Sequence, residues 1–180
     1  MFMSLIRERR SVRKYMPGPI APETVAKLVE AALRAPSSRG FNPWEFVVVT
    51  APETLDKLSR AKPHGAAFLK NAPLGIVVCA DPQKSDVWIE DAAIAALVLH
   101  LAAASLGLGS CWIQMRKRMH DESMTAEAYI ADLLAIPSNL RVLAVMAVGR
   151  PDEQKRPHGA DYPQYEKVHA GRYGAPWQSV

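Results

Sequence analysis

The stretch WIEDAAIAALVLHLAAASLGLGSCWIQM, residues 88–115, decides how this chain folds. Between Ala92 and Ile113 it carries no Asp, Glu, Lys or Arg, and glycines interrupt it at positions 107 and 109. A helix that is apolar on every side either spans a membrane or lies inside a protein core. Because this run is rich in alanine and polar or charged segments flank it, we predict a core helix over 88–106 and a strand over 110–115.

Outward from this stretch, the chain alternates helical and strand patterns. Pro22 suits a first helical position, and Thr50 and Glu53 have the spacing of a capping box for a helix that begins near residue 52. No internal repeat or domain boundary interrupts the pattern, so residues 1–180 are expected to form one domain. The sequence predicts helices over 3–10, 22–35, 52–62 and 124–136, and strands over 44–50, 73–80 and 140–149.

After Gly149 the composition changes to Pro, Gly, His and charged residues. Residues 150–180 contain too little apolar surface to form a core of their own. This tail must therefore lie across another surface.

The overall composition is that of an ordinary globular protein, with 49% hydrophobic residues, 22 basic and 18 acidic side chains, and a net charge of +4. The basic excess is local and does not form a sustained face with stacking aromatics, which disfavours nucleic-acid binding. Cys79 and Cys111 show no thiol motif and are expected to be buried and inert. With no apolar signal core before Arg7, the chain is expected in the reducing cytoplasm.

The segment RERRSVRKYMPGP, residues 7–19, concentrates positive charge. Arg9, Arg10 and Arg13 offer guanidinium groups and Ser11 offers a hydroxyl, and such groups form charge-assisted bonds to a phosphate monoester. A solvated helix end explains the same charges equally well. The residues alone leave both interpretations open.

Other candidate motifs favour structural interpretations. GLGS at 107–110 leaves a helix and opens a strand, the reverse of a Rossmann glycine loop, so a helix C-cap is preferred. The histidines lack metal-ligand spacing, and His100 is expected to be a satisfied core or interface residue. The polar loop APSSRGFNPWEF, 35–46, could hydrogen-bond a heterocycle, although taken alone it is an ordinary connection. No nucleophile or acid–base constellation is found, so an enzyme built on this chain would take its reactivity from a bound cofactor.

Four motifs, taken in their order along the chain, resemble the FMN-dependent nitroreductase family, particularly its short members. They are RRSVRKY, APSSRGFNPWEF, DAAIAALVLHLAAASLGLGSCWIQ and VLAVMAVGRPDE. The resemblance implies an α+β fold, with a central mixed, largely antiparallel sheet flanked by helices, in an intertwined homodimer. It also implies two FMN molecules in clefts at the dimer interface. The tail, 150–180, would reach onto the partner subunit.

The resemblance assigns cofactor-binding roles residue by residue. Arg9, Arg10, Ser11 and Arg13 match the segment that holds the flavin phosphate and ribityl chain, and Arg150, Lys155 or Arg156 is expected to complete the phosphate site. Pro36, Ser37, Ser38 and Gly40, with Asn42 beside them, match the loop that covers the flavin ring from the other subunit. Ile113, Gln114 and Met115 match the strand segment whose backbone faces flavin N5 and O4. No catalytic side chain and no metal is expected.

Two parts of the chain depart from the family pattern. Gly40 and Asn42 stand where asparagine and glutamine are usual, and Gln114 stands where glycine usually follows CWI. Residues 116–136 form an insertion with its own loop and helix. These departures bear on the substrate and on the choice between NADH and NADPH, and they leave the flavin assignment unchanged.

The activity implied by the resemblance is a ping-pong oxidoreduction. NADH or NADPH would deliver hydride to N5 of FMN, and an electron-poor acceptor such as a nitroaromatic or a quinone would then take it. Alternatively, the same pocket would serve dehalogenation or dehydrogenation of a specialised metabolite, or would hold FMN without turnover. The expected partners are a second copy of the chain and a small-molecule acceptor, with neither nucleic acid nor a membrane.

Overall fold

The computed structural model describes residues 2–177. Every helix and strand expected from the sequence is present, with ends that differ from the expected ones by at most three residues. Within residues 2–177 the elements are α1 (Phe2–Glu8), α2 (Pro22–Leu33), β1 (Trp44–Val49), α3 (Pro52–Ser59), β2 (Leu74–Ala80), α4 (Trp88–Ser105), β3 (Gly109–Gln114), α5 (Ala126–Leu134) and β4 (Arg141–Gly149). Short 3₁₀ turns occupy Ser38–Gly40, Ala67–Asn71 and Tyr165–Lys167.

The start of α3 corrects one expectation. The N-cap is Ala51 and not Thr50, and no side chain caps the first turn. Pro52 occupies the first turn of the helix, where its fixed φ and missing N–H are tolerated. The helix therefore begins directly at the proline, and the capping-box prediction for Thr50 and Glu53 is wrong.

The four strands form one sheet in the order β1–β2–β4–β3, and each neighbouring pair is antiparallel. The inner strands β2 and β4 are buried along almost their whole length, which explains their unbroken apolar sequences. Parallel pairing within residues 2–177 is limited to a single bridge between Ser11 and Ser110 at the outer edge of β3. The α+β class with a largely antiparallel sheet is confirmed.

Helices cover both faces of the sheet. α2 and α4 pack on one face through a core that includes Leu28, Leu99 and Met146, and α3 and α5 pack on the other through a core that includes Leu55 and Ile130. By length and composition alone α4 could cross a membrane. In the fold, however, the alanine side of α4 lies against the sheet, as expected for a core helix.

The end of α4 is closed by glycine, as the sequence predicts. Gly107 has φ of +72°. Its N–H donates to the carbonyl of Ala104, and the Leu108 N–H donates to the carbonyl of Ala103 at 2.8 Å. This pair of bonds is a Schellman motif, which turns the chain sharply into β3.

The two ends of the domain meet beside β3. The Met16 N–H donates to the Arg150 carbonyl and the Asp152 N–H donates to the Lys14 carbonyl, both at 2.9 Å. Residues 150–156 therefore lie against their own subunit. Residues 153, 155 and 156 also bond to residues 10–14 of the same chain, and the expected position of the tail on a partner subunit stays a prediction. Large side chains beyond residue 156 are exposed, among them Tyr162, Tyr165, Tyr173 and Trp177.

Candidate functional site

A cavity of about 220 Å³ opens beside the first residues of β3. Arg9 and Arg10, which follow α1, line it together with Lys155 from the far end of the chain. We call it the cation cavity. Its remaining walls include Glu8, Glu153, His100, Ser110 and the apolar side chains of Leu5, Val12, Ala104 and Leu108.

A close backbone approach builds this cavity. The Val12 N–H donates to the Ser110 carbonyl at 3.0 Å, so residues 9–14, here called the arginine segment, run along the outer edge of β3. A Cβ atom at Gly109 would lie 2.7 Å from Val12, and only glycine allows the two backbones to come this close. The glycine of the GLGS motif thereby places the arginines at the strand edge.

The arginines of the cation cavity have no carboxylate partner among the ion pairs of residues 2–177. Arg9 donates to His100 and Arg10 to the carbonyl of Arg156. The Arg13 guanidinium lies 5.9 Å from the centre of the Phe68 ring. Arg13 is not among the residues that line the cavity. Arg9 and Arg10, which have no paired carboxylate, are the guanidinium donors there that suit an anion.

Glu153 fastens the tail to the arginine segment. Its carboxylate accepts the Arg13 N–H at 2.6 Å and the Lys14 N–H at 3.3 Å, and it pairs with Lys155 Nζ at 3.2 Å. Burial works to raise the pKa of Glu153, but the bonds from Arg13 and Lys155 outweigh it and hold this pKa below its usual value. Lys155 also donates to the Ser11 carbonyl at 2.8 Å, which fixes its ammonium group at the cavity.

The three tail cations expected at the phosphate take different positions. Lys155 lines the cavity, and the backbone of Arg156 contacts Arg10. The Arg150 guanidinium instead donates to the Pro19 carbonyl at 3.4 Å. The structure thus brings Lys155 to the arginines and directs the side chain of Arg150 elsewhere.

β3 is an edge strand of the sheet, so beyond the cavity its outer side faces no further strand among the described residues. The Ser110 carbonyl points outward, and the Met115 N–H donates to the Leu143 carbonyl of β4. Backbone groups of successive residues in a strand point to alternate sides. The N–H groups of Trp112 and Gln114 therefore point outward, away from β4. Ile113 and Met115 are buried in the core. The Gln114 side chain accepts from Trp112 Nε1 and donates to the Arg116 carbonyl, each at 2.9 Å, so it is held in one conformation.

The polar loop of residues 36–42, here called the serine loop, has an internal framework. Ser37 Oγ donates to Asn42 Oδ1 at 2.7 Å and accepts the Asn42 N–H at 3.0 Å. Arg39, Gly40 and Asn42 have φ values of +53°, +70° and +46°. The buried carboxylate of Asp91, in the first turn of α4, accepts the Ser38 N–H and the Ser85 hydroxyl, both at 2.7 Å.

Both cysteines are free and buried. Burial raises the pKa of Cys79 to about 12, and burial also raises the pKa of Cys111. Both thiols are therefore protonated at neutral pH, in agreement with the prediction that they are structural.

A larger cavity of about 380 Å³ lies between residues 16–20 and 70–73. Lys70 is its single charged lining residue, and most of the others are apolar. This cavity does not contain the arginine donors, so it is a weaker candidate for an anionic cofactor.

Sequence reasoning missed His100, Ser110, Asp91 and Glu153 as parts of the site. His100 was expected to be satisfied in the core, and it is, but its partner is one of the candidate phosphate arginines. Polar residues inside otherwise apolar elements were the available signal for His100 and Ser110. Glu153 ends the VLAVMAVGRPDE motif, but no local pattern indicates that its carboxylate binds the Arg13 and Lys14 N–H groups, about 140 residues earlier in the chain.

Comparison with known proteins settles the family. The model of the Nitroreductase family matches residues 6–150, most of the chain. The chain belongs to the Nitroreductase family. The solved structure of an FMN-dependent nitroreductase from Clostridium difficile is similar to it with a TM-score of 0.93 at 45% identity, and covers 95% of this chain and 99% of that one.

Two further relatives of this nitroreductase-family chain carry cofactors in their names. A protein of Archaeoglobus fulgidus, named for NADH dehydrogenase and NAD(P)H nitroreductase, is 39% identical over 163 residues, which are 88% of this chain and 90% of the relative. The NADPH:FMN oxidoreductase of Vibrio harveyi, solved in complex with NAD⁺, has a TM-score of 0.80 at 26% identity, with 99% of this chain and 79% of that chain covered.

Proposed function

We propose that this protein is an FMN-dependent oxidoreductase that takes hydride from NADH or NADPH and passes it to an electron-poor acceptor, such as a nitroaromatic or a quinone, in a ping-pong cycle. The observation that carries the proposal is the cation cavity, where Arg9, Arg10 and Lys155 converge with no carboxylate paired to either arginine. Membership of the family and the FMN-dependent relatives support the choice of cofactor.

The donor set fits a flavin mononucleotide. Arg9, Arg10 and Lys155 would hold its terminal phosphate, because guanidinium and ammonium groups form charge-assisted hydrogen bonds to phosphate oxygens. From Ser110 the open edge of β3 continues for four residues to Gln114, roughly 13 Å at the rise of a strand. An elongated ligand with its phosphate in the cavity would lie along this edge.

FMN supplies the redox chemistry when bound, and the protein supplies its position and electrostatics. The outward N–H of Gln114 would donate to the flavin ring and stabilise negative charge there, as a preorganised backbone dipole does. Ile113 and Met115 contribute through burial, since their side chains hold β3 in the core and so fix that N–H. The rigid serine loop would exclude water from the partner's flavin.

We further propose that the active form is a cytoplasmic homodimer. α4 has a second apolar side, on which Ile94 is 38% exposed and Leu97 53% exposed. Neighbouring large side chains such as these are poorly suited to water and favour association with another copy. The exposed aromatic residues beyond residue 156 would extend this contact across the partner. Free thiols at Cys79 and Cys111 fit a reducing compartment.

The test is flavin content and selectivity. The purified protein should be yellow, should release FMN and not FAD, and should oxidise NADH or NADPH with a quinone acceptor. Arg9→Ala together with Arg10→Ala should weaken FMN binding by about a hundredfold or more, since each charge-assisted bond contributes about 1.5–3 kcal/mol. Riboflavin, which lacks the phosphate, should bind both forms equally.

A matched control removes the same charge elsewhere. Arg34 and Arg60 are exposed arginines that each pair with an acid four residues earlier in a helix. Arg34→Ala together with Arg60→Ala should leave FMN affinity unchanged. Stoichiometric FMN in the Arg9 and Arg10 double variant would show that the phosphate site has been misplaced.

A further inference from the structure

His100 connects the core helix to the cation cavity. It lies on α4 and is 9% exposed. Its Nε2 atom is 2.8 Å from Arg9 Nη1, and its Nδ1 atom is hydrogen-bonded to Ser110 Oγ. Ser110 in turn lies at the start of β3, where its carbonyl accepts the Val12 N–H. One imidazole thus joins α4, β3 and the arginine segment.

The partners of His100 determine its protonation. Arginine is always a donor, so Nε2 must accept from Arg9 and the ring proton must be on Nδ1, which donates to Ser110. Burial, assisted by the positive charge of Arg9, lowers the pKa of His100 to about 4. The ring is therefore a neutral acceptor toward Arg9 at neutral pH.

Other arginines in the chain are held differently. Arg34, Arg39 and Arg60 each pair with a carboxylate, and each has an exposed side chain. A carboxylate would also orient Arg9, but it would offset the charge needed for an anion. A neutral imidazole orients the guanidinium through one hydrogen bond and leaves its charge intact.

We propose that His100 is a positioning residue that holds Arg9 at the wall of the cation cavity and, by being neutral, keeps the full charge of Arg9 available to the flavin phosphate. This inference rests on the proposed function. Ser110 contributes to this positioning. Its hydroxyl oxygen accepts a hydrogen bond from Nδ1–H of His100 and so maintains the tautomer in which the unprotonated Nε2 faces Arg9.

The test compares FMN with riboflavin, which differ only in the phosphate. Full-length wild type, His100→Gln, His100→Glu and His100→Leu are titrated with both flavins. The Gln side chain can still accept from Arg9 without charge, so FMN affinity should stay within about threefold of wild type. His100→Leu should weaken FMN binding by about tenfold, and His100→Glu should weaken it by about tenfold relative to Gln. Riboflavin affinity should be unchanged in all three.

A double-mutant cycle identifies the route of the effect. If His100 acts through Arg9, His100→Leu should have no further effect on FMN affinity in an Arg9→Ala background. A second variant, Ser110→Ala, should reproduce part of the loss seen in His100→Leu, because the Nδ1 proton loses its acceptor.

The outcomes separate the two proposals. Equal losses of FMN and riboflavin affinity in the His100 variants would overturn the positioning role, since they would indicate a general structural defect. The positioning role would also be overturned if His100→Leu and His100→Glu kept the wild-type preference for FMN over riboflavin while Arg9→Ala lost it. If wild type itself bound FMN and riboflavin equally, the phosphate site would be refuted and the role of His100 with it.

Discussion

Replacing Asp91 should release the serine loop from α4. The carboxylate is 2% exposed and accepts two hydrogen bonds, from the Ser38 N–H and the Ser85 hydroxyl. The loop it anchors contains non-glycine residues with positive φ, Arg39 and Asn42, a conformation that persists only when the surroundings impose it. Loss of the anchor should allow this backbone to relax.

The size of the effect on the serine loop follows from the bond between the Ser38 N–H and Asp91, because Ser85 lies outside that loop. Hydrogen bonds to a charged acceptor contribute about 1.5–3 kcal/mol each. Ser38 is half-buried and water can replace part of its bond, so the lower end applies and Asp91→Ala should cost about 1.5 kcal/mol of loop stability. In Asp91→Asn the amide oxygen can accept from Ser38 while its NH₂ donates to Ser85, so the cost to the loop should be about 0.5 kcal/mol.

Hydrogen exchange of the Gly40 and Phe41 amides in the FMN-loaded protein measures this directly. These amides donate to Ser37 and Ser38 carbonyls within the loop, so their exchange reports loop opening and not the missing carboxylate itself. Exchange should accelerate by about tenfold in Asp91→Ala and by about twofold in Asp91→Asn.

The matched control is Asp86→Asn. Asp86 pairs with Arg39 of the same loop, but its side chain is 74% exposed, so the change should be below about 0.5 kcal/mol. If the Gly40 and Phe41 amides exchanged at the same rate in Asp91→Ala and in Asp86→Asn, the buried carboxylate would not be the anchor of the serine loop, and the reasoning would fail.

Three further predictions follow from the tail and the thiols. Changing Cys79 or Cys111 to Ala should leave turnover within about threefold at equal flavin content, because both thiols are protonated and buried; a steady-state assay that showed lost activity in folded, flavin-loaded variants would contradict this. The pKa of Glu153 is lower in the folded protein than its usual 4.5, so its contribution to stability is complete above pH 4.5 and is lost as the pH falls further. The difference in unfolding free energy between wild type and Glu153→Gln, measured by urea denaturation, should therefore shrink below that pH. Ending the chain after Pro157 keeps Glu153 and Lys155 but removes the exposed aromatic segment, and should lower the dimer fraction and FMN affinity together in sedimentation and titration; a truncated monomer that binds FMN tightly would exclude a shared site.

The sequence was sufficient to predict the helices and strands that depend on local patterns of residues. The buried strands β2 and β4 and the uncharged helix α4 follow from continuous apolar runs, and Gly107 predicts the C-cap because a positive φ favours glycine there. The start of α3 was misjudged because two local signals competed, and Pro52 determined the result.

The candidate site was less predictable because its contacts are distant in sequence. Arg9 and His100 are 91 positions apart, and Ser11 and Lys155 are 144 apart. The family resemblance assigns the arginine segment to a phosphate site and offers Arg150, Lys155 or Arg156 to complete that site. It does not distinguish Arg150, whose guanidinium turns to Pro19, from Lys155. Side-chain direction in an irregular tail depends on tertiary contacts that no periodicity encodes.

The long sequence separation between the cations of the cavity has a consequence for protein synthesis. The cation cavity needs Arg9 and Arg10, and it also needs Lys155, which is made about 145 residues later. At roughly 5–20 residues per second, a ribosome leaves the arginine segment without Lys155 for many seconds. During that interval the nascent chain cannot assemble the cavity. FMN loading should therefore be a post-translational event, and an interrupted translation product should leave the ribosome colourless.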